Sequence, residues 1–397
     1  SQETFHPNSR GFDDFYGHLH TEVGYFPPFA NQGGIDFQRN GKTITDKGYE
    51  TFLLAAEASR WIENRDTEKP FFLYMPFIAP HTPLEAPEDL LIKYANLKDL
   101  RKPTRSASTD RIRSLSMTPS ARPIYAAVVD ALDQAIGQVL ATLESEGIDE
   151  ETIILFSSDN GGATYGGGGG DNYPLRGGKG ETYEGGIKVI AALRWKGHIA
   201  PQTNFSSIMT MMDVFPTLAG ATNIPMMNTK KIWGRDMWSA IHSSKTMPLT
   251  KEVFFASETP NYGQFHTTVF NEQWKLVQVI SSSLMEVNVD NQLFNIDDDP
   301  NEYNNLAADY PKLVELMAGK IRKWRALHPI SGIRAQLVPP PGWRAPKDWT
   351  SYTIPLNELQ DDASLGFGAH AHQILDYLIK DHGRIIYDCK PEDWERG

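Results

Sequence analysis

The sequence predicts an α/β layered fold, a large and mostly parallel sheet flanked by helices, followed by a small antiparallel sheet with a helix packed on it. Two observations predict the first part. A helix-like stretch followed by a short, continuous apolar run occurs at 51–77 and again at 122–156, and repeated alternation of helix with buried strand is what a parallel sheet requires. A third observation predicts the second part: from about Lys251 the chain breaks into short β-rich pieces separated by Asn, Gly, Ser and Asp.

Taken in order, TFLLAAEASRWIENR at 51–65 places Phe52, Ala55, Ala56, Ser59 and Ile62 near a 3.6-residue period, which is a helix. FFLYMPF at 71–77 then reads as a buried strand. From Arg122 to Ile148 a second stripe, Ile124, Ala127, Val128, Leu132, Ile136, Val139, Leu140 and Leu143, forms a helix that ends at Glu146-Gly147. TIILF at 152–156 and VIAALRW at 189–195 supply two more strands. DVFPTL at 213–218 opens a helix, with Asp213 as cap and Pro216 in the first turn. EVFFAS, HTTVF, WKLVQVI, LMEVNV and QLFNI make the antiparallel sheet, and a helix from Pro311 to about Leu327 packs on it through Leu313, Leu316, Met317, Ile321 and Trp324. Residues 331–397, with VPPPGW and APKDW, read as an extension wrapping the surface, with one late helical piece around His372 to Ile379. The expected units are therefore 1–248, 249–330 and 331–397.

Composition removes several functions. Acidic residues outnumber basic ones 50 to 38, for a net charge of -12, which is the wrong sign for a nucleic-acid surface. No apolar run approaches the roughly 20 residues that span a bilayer. The single cysteine, Cys389, rules out a disulfide framework or a Cys-based zinc site within the chain; a free thiol and pairing with another chain both stay open.

The chemistry concentrates in FSSDNGGATYGGGGGDNYPLRGGKGETYEGG, Phe156 to Gly186, which has twelve glycines in 31 residues beside an Asp-Asn pair, an Arg and a Lys. Ligands collect at the carboxyl ends of strands in α/β sheets, and Asp159 and Asn160 directly follow TIILF. A carboxylate next to an amide offers the hard oxygens that Ca²⁺ or Mg²⁺ prefers, although Asp-Asn-Gly-Gly is also ordinary turn chemistry. Lys179 stands between glycines, so its ammonium can meet an anion without flanking side chains in the way; a solvated lysine is the plain alternative. In APHTPLEAP at 79–87, His81 sits between two prolines after an apolar run, placed to bond an anion or to protonate a leaving oxygen, or else to be a surface-loop histidine.

Together these pieces resemble the sulfatases, of arylsulfatase type and nearest to the arylsulfatase B-like enzymes. The matching segments, in order, are RGFDDFYG at 10–17, FFLYMPFIAPHTPLEAP at 71–87, ILFSSDNGG at 154–162, NYPLRGGKGETYEGGIKV at 172–189, MDVFPTLAG at 212–220 and LFNIDDDPNEYNNLA at 293–307. The resemblance implies an alkaline-phosphatase-like fold and hydrolysis of sulfate esters of a glycan or aryl compound. It implies that Asp159 and Asn160 are half of a divalent-metal site, usually Ca²⁺, with Mg²⁺ as the other candidate. It further implies that Lys179 holds the sulfate and that His81 serves the sulfate and the leaving oxygen. The family's nucleophile is a formylglycine made within C/S-x-P-x-R, and no such motif occurs in this chain: CKPED at 389–393 has Asp393 in place of the arginine, and SMTPSAR at 116–122 fails on spacing.

The Asp-Asp pair that completes the metal site is likewise absent, so the resemblance implies a sulfatase N-terminal segment as partner, with Cys389 as its disulfide link. A non-catalytic sulfatase-like protein that binds sulfated glycans is the alternative. Family members are secreted, lysosomal or periplasmic, and Asn204 in NFS is the N-glycosylation acceptor expected in a eukaryotic source. The basic segment 97–123, with six Lys and Arg before Arg122, is the candidate substrate loop.

Overall fold

The computed structural model describes residues 6–19, 24–27, 37–100, 121–164, 169–227, 231–257, 264–282 and 287–327. The expected extension at 331–397, its late helical piece, Cys389 and most of the basic segment 97–123 lie outside the described residues.

The first layer is helical. Helix α1 (Glu50–Glu63) and helix α3 (Ala121–Ser145) lie side by side, with Ala55, Ala58 and Ile62 packed on Ala135, Val139 and Leu143. Alanines at the contact let the two backbones approach, and Thr142 Oγ1 satisfies itself there by donating to Ser59 Oγ at 2.9 Å. Helix α2 (Glu88–Tyr94) covers the other end of α3, where Leu90 meets Ala127, Val128 and Ala131 beside the stacked rings of Tyr25 and Tyr49. Three two-residue strands, β1 (Tyr16–Gly17), β2 (Gln38–Arg39) and β3 (Lys42–Thr43), form a small antiparallel ribbon.

The large parallel sheet is not present among the described residues. The segment 71–77 joins no ladder among the described residues, and its burial alternates only in part, with Leu73 exposed beside Phe72 and Tyr74. Phe71, Met75 and Phe77 pack on the α1–α3 layer, while Phe72 and Tyr74 point away from it, 68% and 65% exposed. Strand β4 (Ile154–Ser157) pairs with β5 (Ala191–Arg194), and the pairing is antiparallel, with Ile154 opposite Arg194 and Ser157 opposite Ala191. Ile154 packs on the helices, whereas Leu155, Phe156 and Ile190 stay exposed. Helix-to-strand alternation correctly put a helical layer behind the apolar runs. It could not supply the neighbouring strands on which ladder direction and completeness depend.

Beyond β5, helix α4 (Glu184–Ile187) having preceded it, comes helix α5 (Met211–Ala221). Its cap is Thr210, not Asp213. Asp213 is the reciprocal partner three residues on, its carboxylate accepting from Thr210 N at 2.8 Å. Pro216 therefore falls inside the helix rather than in its first turn. Burial raises the Asp213 carboxyl, but the Arg235 guanidinium and two backbone N–H groups outweigh it and hold the group below its usual value. A short helix, α6 (Trp238–His242), follows.

The last unit is an antiparallel meander, β6 (Val253–Ser257), β7 (Gln264–Phe270), β8 (Trp274–Ser282) and β9 (Val287–Asn295), in which each strand pairs with the next. LMEVNV and QLFNI, expected as two pieces, contribute to one strand, β9. Helix α7 (Pro311–Arg325) covers one face, burying Met317, Ala318 and Ile321 against Val269, Leu276 and Leu293. Trp324 stacks on Phe254 with ring centres 5.3 Å apart. Leu316, expected in this contact, is 58% exposed on the helix's outer side. The opposite face, through Val277, Val279 and Phe294, packs on Tyr183 of the glycine-rich stretch. The meander is thus the platform on which that stretch rests.

Candidate anion-binding site

Three loops converge, two of them issuing from apolar runs and the third, which carries Lys179, from the glycine-rich stretch. His81 is held by its backbone: its N–H donates to Ile78 O at 2.7 Å, and the buried Tyr25 hydroxyl donates to its carbonyl at 2.8 Å. Tyr25 is fixed in turn by Glu85 Oε2, which accepts from Tyr25 N at 2.7 Å. The ring is oriented by the 2.6 Å contact of Nδ1 with Thr82 O. A carbonyl can only accept, so Nδ1 carries the proton and Nε2 presents a lone pair.

That lone pair meets Lys179, whose Nζ is 2.7 Å from His81 Nε2 although the residues are 98 positions apart. The ammonium donates and the neutral imidazole accepts. The loop carrying Lys179 is closed on the loop carrying Asp159 and Asn160. Lys179 N donates to Gly162 O at 3.2 Å and Gly161 N to Gly186 O at 2.9 Å. Asn172 stitches both together, accepting from Gly162 N and donating to Gly162 O, each at 2.9 Å, and donating to Gly177 O at 3.1 Å.

The glycines are explained by this closure. A Cβ on Gly161 would stand 1.8 Å from Gly185 O, and one on Gly186 would stand 2.1 Å from Glu181 O. Two backbones cross at a separation that leaves no room for a side chain.

Asp159 and Asn160 lie at the rim. Asp159 Oδ1 accepts from Asn160 N at 2.8 Å, and the Asn160 amide donates to Gly161 O at 3.0 Å. Among the described residues no group of three His, Cys, Asp or Glu side chains is placed to hold a metal. One carboxylate and one amide suit a hard cation chemically but provide only part of the roughly six to eight oxygens that Ca²⁺ takes. The residues present make up only a fraction of a metal site.

Sequence reasoning singled out His81, Lys179, Asp159 and Asn160, and the structure brings the first two into contact. It did not single out Asn172 or Tyr25. The signal for Asn172 was a short amide following a glycine run; for Tyr25 nothing local exists, because the partners that tie it to the His81 loop are 53 to 60 residues away. Asn204, the expected sequon, is exposed.

The family model described as Sulfatase matches residues 1–224. Arylsulfatase J of Mus musculus is 25% identical over 366 residues, covering 80% of this chain and 57% of its own length. N-acetylgalactosamine-6-sulfatase of Mus musculus is 28% identical over 251 residues, covering 59% of this chain and 42% of its own length. The crystal structure of Ps i-CgsB superposes with a TM-score of 0.68 at 27% identity, covering 82% of this chain and 68% of that one, and a second structure of it contains k-i-k-neocarrahexaose. The chain spans about half the length of these curated relatives.

Proposed function

The chain belongs to the sulfatase family, and on that premise we propose that it forms the sulfate-holding part of a sulfuric ester hydrolase acting on a sulfated carbohydrate or aryl sulfate. The observation that carries this reading is the 2.7 Å contact between Lys179 Nζ and His81 Nε2. An ammonium and an imidazole on separate loops, with no carboxylate bonded to either among the described residues, form a pair that a shared anion can join. With Nδ1–H given to Thr82 O, the proton that arrives on His81 can only sit on Nε2. Protonation then turns the pair from donor and acceptor into two donors that repel each other unless an oxyanion stands between them. Sulfate binding should therefore take up a proton, and His81 Nε2–H is the group poised to pass one to a departing ester oxygen. Lys179 offsets the charge of the sulfuryl oxygens.

The rest of the catalytic set belongs, in this proposal, to a sulfatase segment outside this chain. A formylglycine there would supply the attacking oxygen, and further carboxylates there would complete a Ca²⁺ or Mg²⁺ site begun by Asp159 and Asn160. The bare outer side of 71–77 and the exposed Leu155, Phe156 and Ile190 support such a covering segment, since large apolar side chains on a strand-like face are where a missing layer packs. Cys389 is its candidate disulfide partner, Asn204 the candidate glycan site, and a secreted, lysosomal or periplasmic setting follows from the family. A non-catalytic, glycan-binding role is the second reading, favoured by the lack of any C/S-x-P-x-R motif in the 397 residues.

The test is calorimetric titration of the chain with sodium sulfate in two buffers of different ionisation enthalpy, beside turnover of a chromogenic aryl sulfate by a form that includes the nucleophile segment. Binding with proton uptake, lost in Lys179→Ala, is expected, together with turnover in the longer form only. Equal sulfate affinity in wild type and Lys179→Ala would overturn the site, and turnover by residues 1–397 alone would overturn the dependence on a further segment.

A further inference from the structure

The most conspicuous charge in the interior lies outside the site. Lys275, on β8, is fully buried, on the sheet face that carries Val277 and Val279 toward the glycine-rich stretch. Its ammonium is 2.8 Å from Glu184 Oε1 and 2.8 Å from Glu302 Oε1. Glu302, in the turn after β9, has a left-handed backbone at φ 58° and accepts from Glu184 N through Oε2 at 2.6 Å. One cation is thus enclosed by two carboxylates in an interior where removing one member of such a cluster leaves an uncompensated buried charge. Burial pushes the Glu302 carboxyl up, against the pull of Lys275.

What this cluster holds is the lysine loop. Glu184 opens α4 five residues after Lys179, and Gly185 N next to it donates to Arg176 O at 2.7 Å. Arg176 lies over the Tyr183 ring at 4.1 Å and donates to Glu302 O at 3.1 Å. Tyr183 donates its hydroxyl to Gln292 on β9 at 3.0 Å, and Tyr303 donates to Pro174 O at 2.8 Å. The loop from 174 to 186 is therefore fastened to the meander on both sides of Lys179. Lys179 itself is bonded through its N–H to Gly162 O beside the glycine crossing, where the close approach of the backbones leaves little room for a shift.

We propose that Lys275 is a positioning residue: clamped by Glu184 and Glu302, it ties the C-terminal sheet to the 174–186 loop and so fixes where Lys179 presents its ammonium to an anion. The inference rests on the sulfate-holding reading above. It makes the C-terminal sheet part of the site rather than an appendage to it.

The experiment compares wild type with Lys275→Met, with Lys275→Arg, and with the triple variant Lys275→Met, Glu184→Gln, Glu302→Gln, which removes both orphaned charges and is the variant expected to fold if Lys275→Met does not. Each is titrated with inorganic sulfate, and amide exchange of residues 176–186 is followed by mass spectrometry. In the folded triple variant, sulfate affinity should fall about tenfold, as small displacements of a binding group commonly do, and the loop amides should exchange faster while those of β8 and β9 stay protected. Lys275→Arg should recover part of the affinity. A folded triple variant with wild-type affinity and unchanged loop exchange would overturn the clamp. A wild-type chain that ignores sulfate while the triple variant still loosens the loop would overturn the functional reading and leave the clamp standing.

Discussion

The two halves of the molecule solve the same problem with different success. In the C-terminal meander every strand pairs with the next in sequence, and the core of Val269, Leu276, Leu293, Met317 and Ile321 closes under one helix. In the first half the helical layer is equally well packed, yet among the described residues 71–77 has no ladder, β4 has one neighbour, and Phe72, Tyr74 and Ile190 are largely bare. An antiparallel meander is self-sufficient because its hydrogen-bonding partners are contiguous in the chain. An α/β sheet is not, because each strand depends on others separated by whole helices. The site sits where the two halves meet, and it borrows its rigidity from the complete one.

That contrast can be broken by mutation. Leu276→Ala, in the closed core, should lower the free energy of unfolding by about 2–5 kcal/mol in urea denaturation; a loss under about 1 kcal/mol would mean that the meander is not the stable half. Gly161→Ala should cost about 1–3 kcal/mol, since the new Cβ must displace Gly185 O. It should also weaken sulfate binding in the same titration used for Lys179. His266, buried under Tyr183, probes the border electrostatically: burial, with Arg176 nearby, lowers its pKa from the ordinary 6.5 to about 4. The folded state then refuses a proton that the unfolded chain accepts, so the contribution is fully present above about 6.5 and drains away as the pH falls toward 4. His266→Gln should flatten the stability profile across that window, read by thermal melts at stepped pH.

The smallest effect belongs to the open half. Phe72→Ser with Tyr74→Ser should change the unfolding free energy of the chain alone by less than about 0.5 kcal/mol and reduce any self-association seen by sedimentation. In a form that carries a covering segment the same pair should cost several-fold more. Equal costs in both forms would show that nothing packs on this face.

Much of the chain was legible because its pieces are local. The stripes at 52–62 and 124–143 could hardly be anything but helices, and the alternating runs after Lys251 could form a meander without reference to the rest. His81, Asp159 and Asn160 stood out because they follow apolar runs, and Lys179 because it stands between glycines that free the backbone. Lys275 was hidden for the complementary reason. In WKLVQVI an alternating lysine reads as the solvent side of a strand, and its true partners are 91 residues before it and 27 after.

The sequence by itself therefore determined the longer helices at 50–63, 121–145 and 311–325 and the strands of the meander, since these follow from periodicity. Only the tertiary structure decided that β4 and β5 run antiparallel, that two glycine backbones cross without room for a methyl group, and that a buried lysine on one unit fastens the loop of another. Those outcomes depend on what stands on the other side of a contact, and no local pattern records a neighbour that lies a hundred residues away.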